Sequence, residues 1–314
     1  MNGRFAENPA YVQYETLLKR LHGLIAEGQG QSPEADAVRE AMDEPVERLT
    51  RPEITRLKGL SADLYMLQGK EVITADAGSR LELEELRSEL DHFRDWNSWD
   101  AVLALLRRRA SDIPEAAVAA TRARAYAELG HADTALLFLD FAFRATPDDA
   151  DYKTLRLMLL LDAGRYGEAV KIAESALASN DTTPELIFAA ADVLFATAVA
   201  QSQKADGDDR TYARVLEVLG RLVGGRQTRR PLLPSFLVLA HLLRAACLSH
   251  FDRANEAIGA CDEALKIAPN DDVVLQMRSL IQAGSSDGSF KAAVRNALNR
   301  FKMSAWNGAT LSAA

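Results

Sequence analysis

Three pairs of small residues recur at one interval. Gly130 and Gly164 stand 34 positions apart (164 − 130), and so do Ala135 and Ala169, and Ala142 and Ala176. The same order of a glycine, an alanine five places on and another seven further appears in "GHADTALLFLDFA" and again in "GRYGEAVKIAESA". A fixed interval of this size is what a chain shows when one two-helix unit is repeated, each unit burying its apolar face on the next. Small residues belong where helix backbones cross most closely, and large ones fill the holes beside them. A glycine permits the reversal between the helices, and a proline that cannot continue a helix separates successive units. A generic alanine-rich bundle would account for the alanines but not for their register.

Composition agrees with a helical array. Alanine is abundant, and it is the best helix former. The 314 residues suffice for a sizeable core. The formal net charge of −8 works against non-specific binding to nucleic acid or anionic lipid. The start of the chain lacks the basic-then-apolar pattern of a signal peptide. The runs "LRLMLLLDAG" and "PSFLVLAHLLRAACL" are too short, or too broken by His241 and Arg244, to span a bilayer, so no membrane insertion is expected. Cys247 and Cys261 read as two buried thiols rather than a disulfide, and a cytoplasmic protein is expected.

The residues that carry the interval resemble those of the tetratricopeptide repeat family. In residues 116–149 the pattern runs through Ala123, Tyr126, Gly130, Ala135, Leu139, Ala142 and Pro147. In residues 150–183 it runs through Leu157, Leu160, Gly164, Tyr166, Ala169, Ala173 and Ala176, with Asp181 where a proline is expected. In residues 238–271 it returns as Ala245, Leu248, Ala257, Cys261, Ala264 and Pro269. Degenerate units of about 81–115, 184–237 and 272–302 flank these three, the second lengthened by "SQKADGDDR" and by the linker "GGRQTRRPLLP". The resemblance implies an all-α, right-handed helical-hairpin solenoid over residues 79–302, with a flexible tail at 303–314.

Residues 1–78 read as additional N-terminal helices that cap the array. "PAYVQYETLLKRLHGLIAEG" places Tyr11, Tyr14, Leu17, Leu18, Leu21 and Leu24 on a helical stripe. Ser32 followed by Pro33 is a helix start, and a third amphipathic helix runs from Pro52 to about Gln68. The stretch "EVITADAGSR" is the expected hinge.

No catalytic constellation emerges. The five histidines, His22, His92, His131, His241 and His250, show no pair at metal-site spacing on one helix face, and His241 and His250 read as solitary surface or packing residues. "GLSAD" lacks the second glycine of a nucleophile elbow. The carboxylate runs are spaced like solvated helix faces. The sequence therefore predicts no enzyme, no cofactor and no metal. The clusters Arg107–Arg109 and Arg226, Arg229 and Arg230 read as helix-end or linker cations rather than a nucleic-acid surface.

In the family that the chain resembles, the first helices of successive units line a concave groove that takes a peptide or helix. Carried over by phase, the peptide-binding groove here comprises Arg124, Met158, Leu161, Phe188, Asp192, Phe195, Leu239 and Leu242. Ala120 and Arg124 in one unit, and Thr154 and Met158 in the next, stand where some members clamp a terminal carboxylate with lysine and asparagine, so that clamp is largely absent. The mostly apolar wall suits the apolar face of an amphipathic helix. The expected function is a non-enzymatic protein–protein interaction scaffold. Two alternatives are a cytoplasmic chaperone for an exported or membrane protein and a self-assembling platform in which the groove takes another copy.

Overall fold

The computed structural model describes residues 8–68, 88, 92, 98–109, 114–145, 150–179, 182–202, 209–224 and 233–284. The expected hinge at 71–80, the first part of the degenerate unit at 81–97 apart from residues 88 and 92, the helix expected at 289–301 and the tail at 303–314 lie outside the described residues. Every regular element among the described residues is helical. The chain divides into two compact units between residues 147 and 148.

The first unit opens with α1 (Pro9–Ala26), α2 (Pro33–Val46) and α3 (Arg51–Tyr65), the last extended by a 3₁₀ turn, Met66–Gln68. Each begins with a capping side chain and a proline in its first turn, where a missing N–H costs nothing. Asn8 accepts from the Ala10 N–H, and Ser32 from the Ala35 N–H. At α3, Glu53 accepts from both the Thr50 backbone N–H and the Thr50 hydroxyl. Then follow α4 (Trp99–Arg109), α5 (Glu115–Glu128) and α6 (Ala132–Ala145). Trp99, Val102 and Leu106 of α4 are buried, and Pro114 caps α5. Helices α1–α3 belong to the same compact unit as the hairpin α5–α6.

That hairpin shows why the register matters. Ala123 and Ala135, Leu139 and Ala142 have no exposed surface, so α5 and α6 meet on small side chains. Beside them Tyr126 stacks on Phe138, with ring centroids 5.4 Å apart and planes 4° from parallel.

The second unit contains α7 (Ala150–Asp162), α8 (Tyr166–Ala178), α9 (Pro184–Ser202), α10 (Asp209–Val223), α11 (Pro234–His250), α12 (Ala254–Ile267) and α13 (Asp272–Gln282). Successive helices pair as hairpins, and alternate helices also touch: α7 with α9, α9 with α11, α11 with α13. Helix α9 is therefore flanked by α7, α8, α10 and α11, and its sequence is apolar on every side, as a helix enclosed by others must be. By length and composition alone, Pro184–Gln201 could cross a membrane. Some 78% of that stretch is buried against the rest of the protein, which accounts for its composition. Cys247 and Cys261 are free and buried. Burial raises both thiols, Cys261 to about 11.

Candidate functional site

Three of the chain reversals are built alike to the level of single hydrogen bonds. At the end of α5, the Gly130 N–H donates to the Ala127 carbonyl and the His131 N–H to the Tyr126 carbonyl. At the end of α7, Gly164 donates to Leu161 and Arg165 to Leu160. At the end of α11, Asp252 donates to Ser249 and Arg253 to Leu248. These i−3 and i−5 bonds form one C-terminal cap, which needs a left-handed residue at its centre. Gly130 has φ 85° and Gly164 has φ 69°. Asp252 stands where the third unit's glycine would be, and takes φ 57°.

Beyond the cap the three turns part company. Arg165 makes two hydrogen bonds to Glu168, and Arg253 makes two to Glu256. Each turn thus closes on itself with an arginine and a glutamate three residues apart. In the first hairpin the same two places hold His131 and Thr134. Both turn instead to Glu15 of α1. His131 Nδ1 lies 3.1 Å from Glu15 Oε2, and the Thr134 hydroxyl is 3.3 Å from Oε1. Lys19 adds a bond to Oε1 at 3.0 Å. The other ring nitrogen of His131 faces Arg56 of α3 at 3.1 Å. A guanidinium can only donate, so Nε2 accepts there and Nδ1 carries the hydrogen toward Glu15. Burial alone would raise the Glu15 carboxyl, but its bonds to His131 and Lys19 outweigh burial and hold it at about 2.

A second carboxylate is received nearby. Asp63 of α3 has no exposed surface, and all its partners come from α4 and α5. Arg107 donates Nε to Oδ1 at 2.9 Å and Nη2 to Oδ2 at 2.6 Å. Arg122 lies 3.2 Å from Oδ1, and the Tyr126 hydroxyl donates to Oδ2 at 2.7 Å. Burial, and then the neighbouring Asp63 charge, push the Tyr126 hydroxyl well above the usual tyrosine range and keep it a donor. A Cβ on Gly59 would stand 2.7 Å from the Arg107 guanidinium, so the bare backbone of α3 lets Arg107 lie across it to reach Asp63, one turn on. Arg107 is thus an ion-pair partner of Asp63 as well as a cation in the last turn of its helix.

The groove residues expected from phase are mostly interior. Arg124, in the first unit, is 2% exposed, with its guanidinium 5.0 Å above the Trp99 ring. In the second unit Met158, Asp192, Phe195 and Leu242 are buried, Phe188 has no exposed surface, and Leu239 keeps 8%. Leu161 is the residue of the set that is only half-buried. The apolar wall is therefore not open to solvent as described. Phe188 packs edge-on against Phe236 of α11, and Phe195 against Tyr212 of α10. Helix α9 uses these side chains to hold its neighbours, which phase along the sequence could not reveal.

Glu15, Asp63, His131 and Thr134 escaped the sequence reading. One signal was present: the places of Arg165 and Glu168, aligned on Gly130, hold a histidine and a threonine. Among the described residues, no group of three histidine, cysteine or acidic side chains comes together as metal ligands would.

No protein-family model and no curated protein matches the chain. Among solved structures it is similar to the crystal structure of the TPR domain of P58(IPK), at 14% identity over 93% of this chain and 80% of that one, with a TM-score of 0.29. So low a TM-score lends no weight to the fold, which stands on the hairpins and turns of this chain.

Proposed function

We propose that the protein is a non-enzymatic scaffold that holds a protein partner on its stacked helical hairpins. The observation that carries this reading is the reuse of one turn at Gly130, Gly164 and Asp252, joined in the second unit to first helices that lie side by side. Such an array offers a preformed surface, so the scaffold gives up little entropy when a partner docks. The inner faces of α7, α9 and α11 are the proposed docking face, with Met158, Phe188, Asp192, Phe195, Leu239 and Leu242 as its supporting wall. Leu161 is the residue of that face with surface to offer. Arg124 supports the corresponding helix of the first unit. The two free, buried thiols support a reducing compartment, the cytoplasm.

A photo-crosslinking amino acid at position 161, in the full-length protein and in native extract, tests the reading. Arg165, exposed at the following turn, is the control position. A discrete protein adduct from 161 but not from 165 supports docking on that face. An adduct of twice the chain's own mass identifies the partner as another copy. Equal adducts from both positions, or none from 161, would sink the proposal.

A further inference from the structure

We propose that α4 and the first hairpin carry a docking surface for carboxylate-bearing helices, and that α1 and α3 of the same chain occupy it as a displaceable intramolecular ligand. The receiving side consists of Arg107, Arg122 and Tyr126 around one carboxylate, and His131 and Thr134 around the other. Asp63 and Glu15 are the groups received.

Two independent observations point the same way. First, the turns at Arg165 and Arg253 satisfy themselves with their own glutamates, whereas the first hairpin has no glutamate at position 134 and takes one from outside. Its turn is built to accept a foreign carboxylate. Second, every partner of Asp63 belongs to α4 or α5, and Gly59 clears the path of the largest of them. A carboxylate with no hydrogen-bond partner on its own helix is presented, in the manner of a ligand, rather than used to stabilise that helix.

The chemistry of the seat suits exchange. A buried ion pair forms at the cost of two hydration shells and recovers them when it opens, so its net contribution is small for the strength of its contacts. An apolar seat has no such return. A partner helix that places two carboxylates at the same spacing would make the same bonds, so an acidic helical segment is the competitor that this surface fits. This inference concerns the first unit and does not depend on the docking face proposed for α7, α9 and α11.

The test uses the full-length protein, its Glu15→Gln/Asp63→Asn variant and hydrogen–deuterium exchange resolved by segment. The probe is a fluorescent synthetic peptide of residues 50–68 of this chain, which carries Asp63. Exchange in α1–α3 of the variant should rise at least tenfold while α5 and α6 stay protected. The variant should then bind the peptide, the wild type should not, and a peptide carrying Asp63→Asn should bind neither. Unchanged exchange overturns the proposal. So does a joint rise in α1–α3 and α5–α6, which would make them one cooperative core, and so does an opened cap that fails to take up the peptide. Gly59→Leu, which drives a side chain into the Arg107 guanidinium and keeps both carboxylates, should give the same pattern of exchange. A Gly59→Leu protein in which both segments exchange together likewise overturns it.

Discussion

Tyr126 donates its hydroxyl to Asp63 across 63 positions of chain, at 2.7 Å, inside the protein. The same tyrosine ring stacks on Phe138 of α6. One side chain therefore belongs to both the hairpin's core and the seat of the N-terminal helices. Asp63 answers two arginines there, and removing it leaves the buried Arg122 and the partly exposed Arg107 without their carboxylate. Breaking a buried pair by deleting one partner costs roughly 3–5 kcal/mol. Asp63→Ala should weaken the docking of α1–α3 on α4 and α5 by up to about that much, read as faster hydrogen exchange of α1–α3 while α5 and α6 stay protected. A loss below about 1 kcal/mol would show that water reaches the site.

Glu15 predicts a dependence on pH. Burial raises its carboxyl, but the bonds from His131 and Lys19 outweigh burial and bring it to about 2, against 4.5 for the free side chain. A carboxyl depressed on folding adds stability that is fully present above the unfolded value and disappears as pH falls through the folded one. The window runs from about pH 4.5 down to about pH 2, and the contribution is on the order of 3 kcal/mol. Glu15→Gln should flatten the stability profile of the first unit across that window. A profile as steep as that of the wild type would assign the acid sensitivity to other carboxylates.

The repeat was readable because it is written in steric constraints. Gly130, Gly164, Ala135 and Ala169 are small for local reasons that any copy of the unit shares, so their spacing survives in the sequence. Glu15 and Asp63 follow no period. Each lies on a helix whose stripe reads as ordinary amphipathic surface, and only the fold brings them to His131 and Arg107. Phe188 and Phe195 are the opposite case. Their phase places them on the inner face of a first helix, but α9 is enclosed by four neighbours, and enclosure is a property of the assembled hairpins.

The enclosure of α9 can be measured. Phe188 has no exposed surface and meets Phe236 edge to face at 5.9 Å. Truncating such a residue typically costs about 3–5 kcal/mol through lost burial and the cavity left behind. Phe188→Ala should destabilise the second unit by that amount, while Leu161→Ala, on a half-buried position, should cost less than about 1 kcal/mol. Equal losses would mean that the two residues share one environment, and the distinction between wall and docking residue would fall.

The shared turn allows a prediction of opposite signs at equivalent positions. Gly164 has φ 69°, and a Cβ there would meet nothing within 4 Å, so the cost of Gly164→Ala is conformational alone. A left-handed non-glycine residue costs on the order of 1 kcal/mol, and the alanine's stiffer unfolded chain offsets part of that. Asp252 already bears the cost at φ 57°, softened because aspartate tolerates this region better than most side chains. Gly164→Ala should therefore lower the unfolding midpoint of the second unit in denaturant, and Asp252→Gly should raise it, each by less than about 1 kcal/mol and with an unchanged slope. If Asp252→Gly instead destabilises, the aspartate side chain contributes at that turn more than its backbone costs. The third reversal would then be held by its own chemistry rather than by a lapsed copy of the glycine cap.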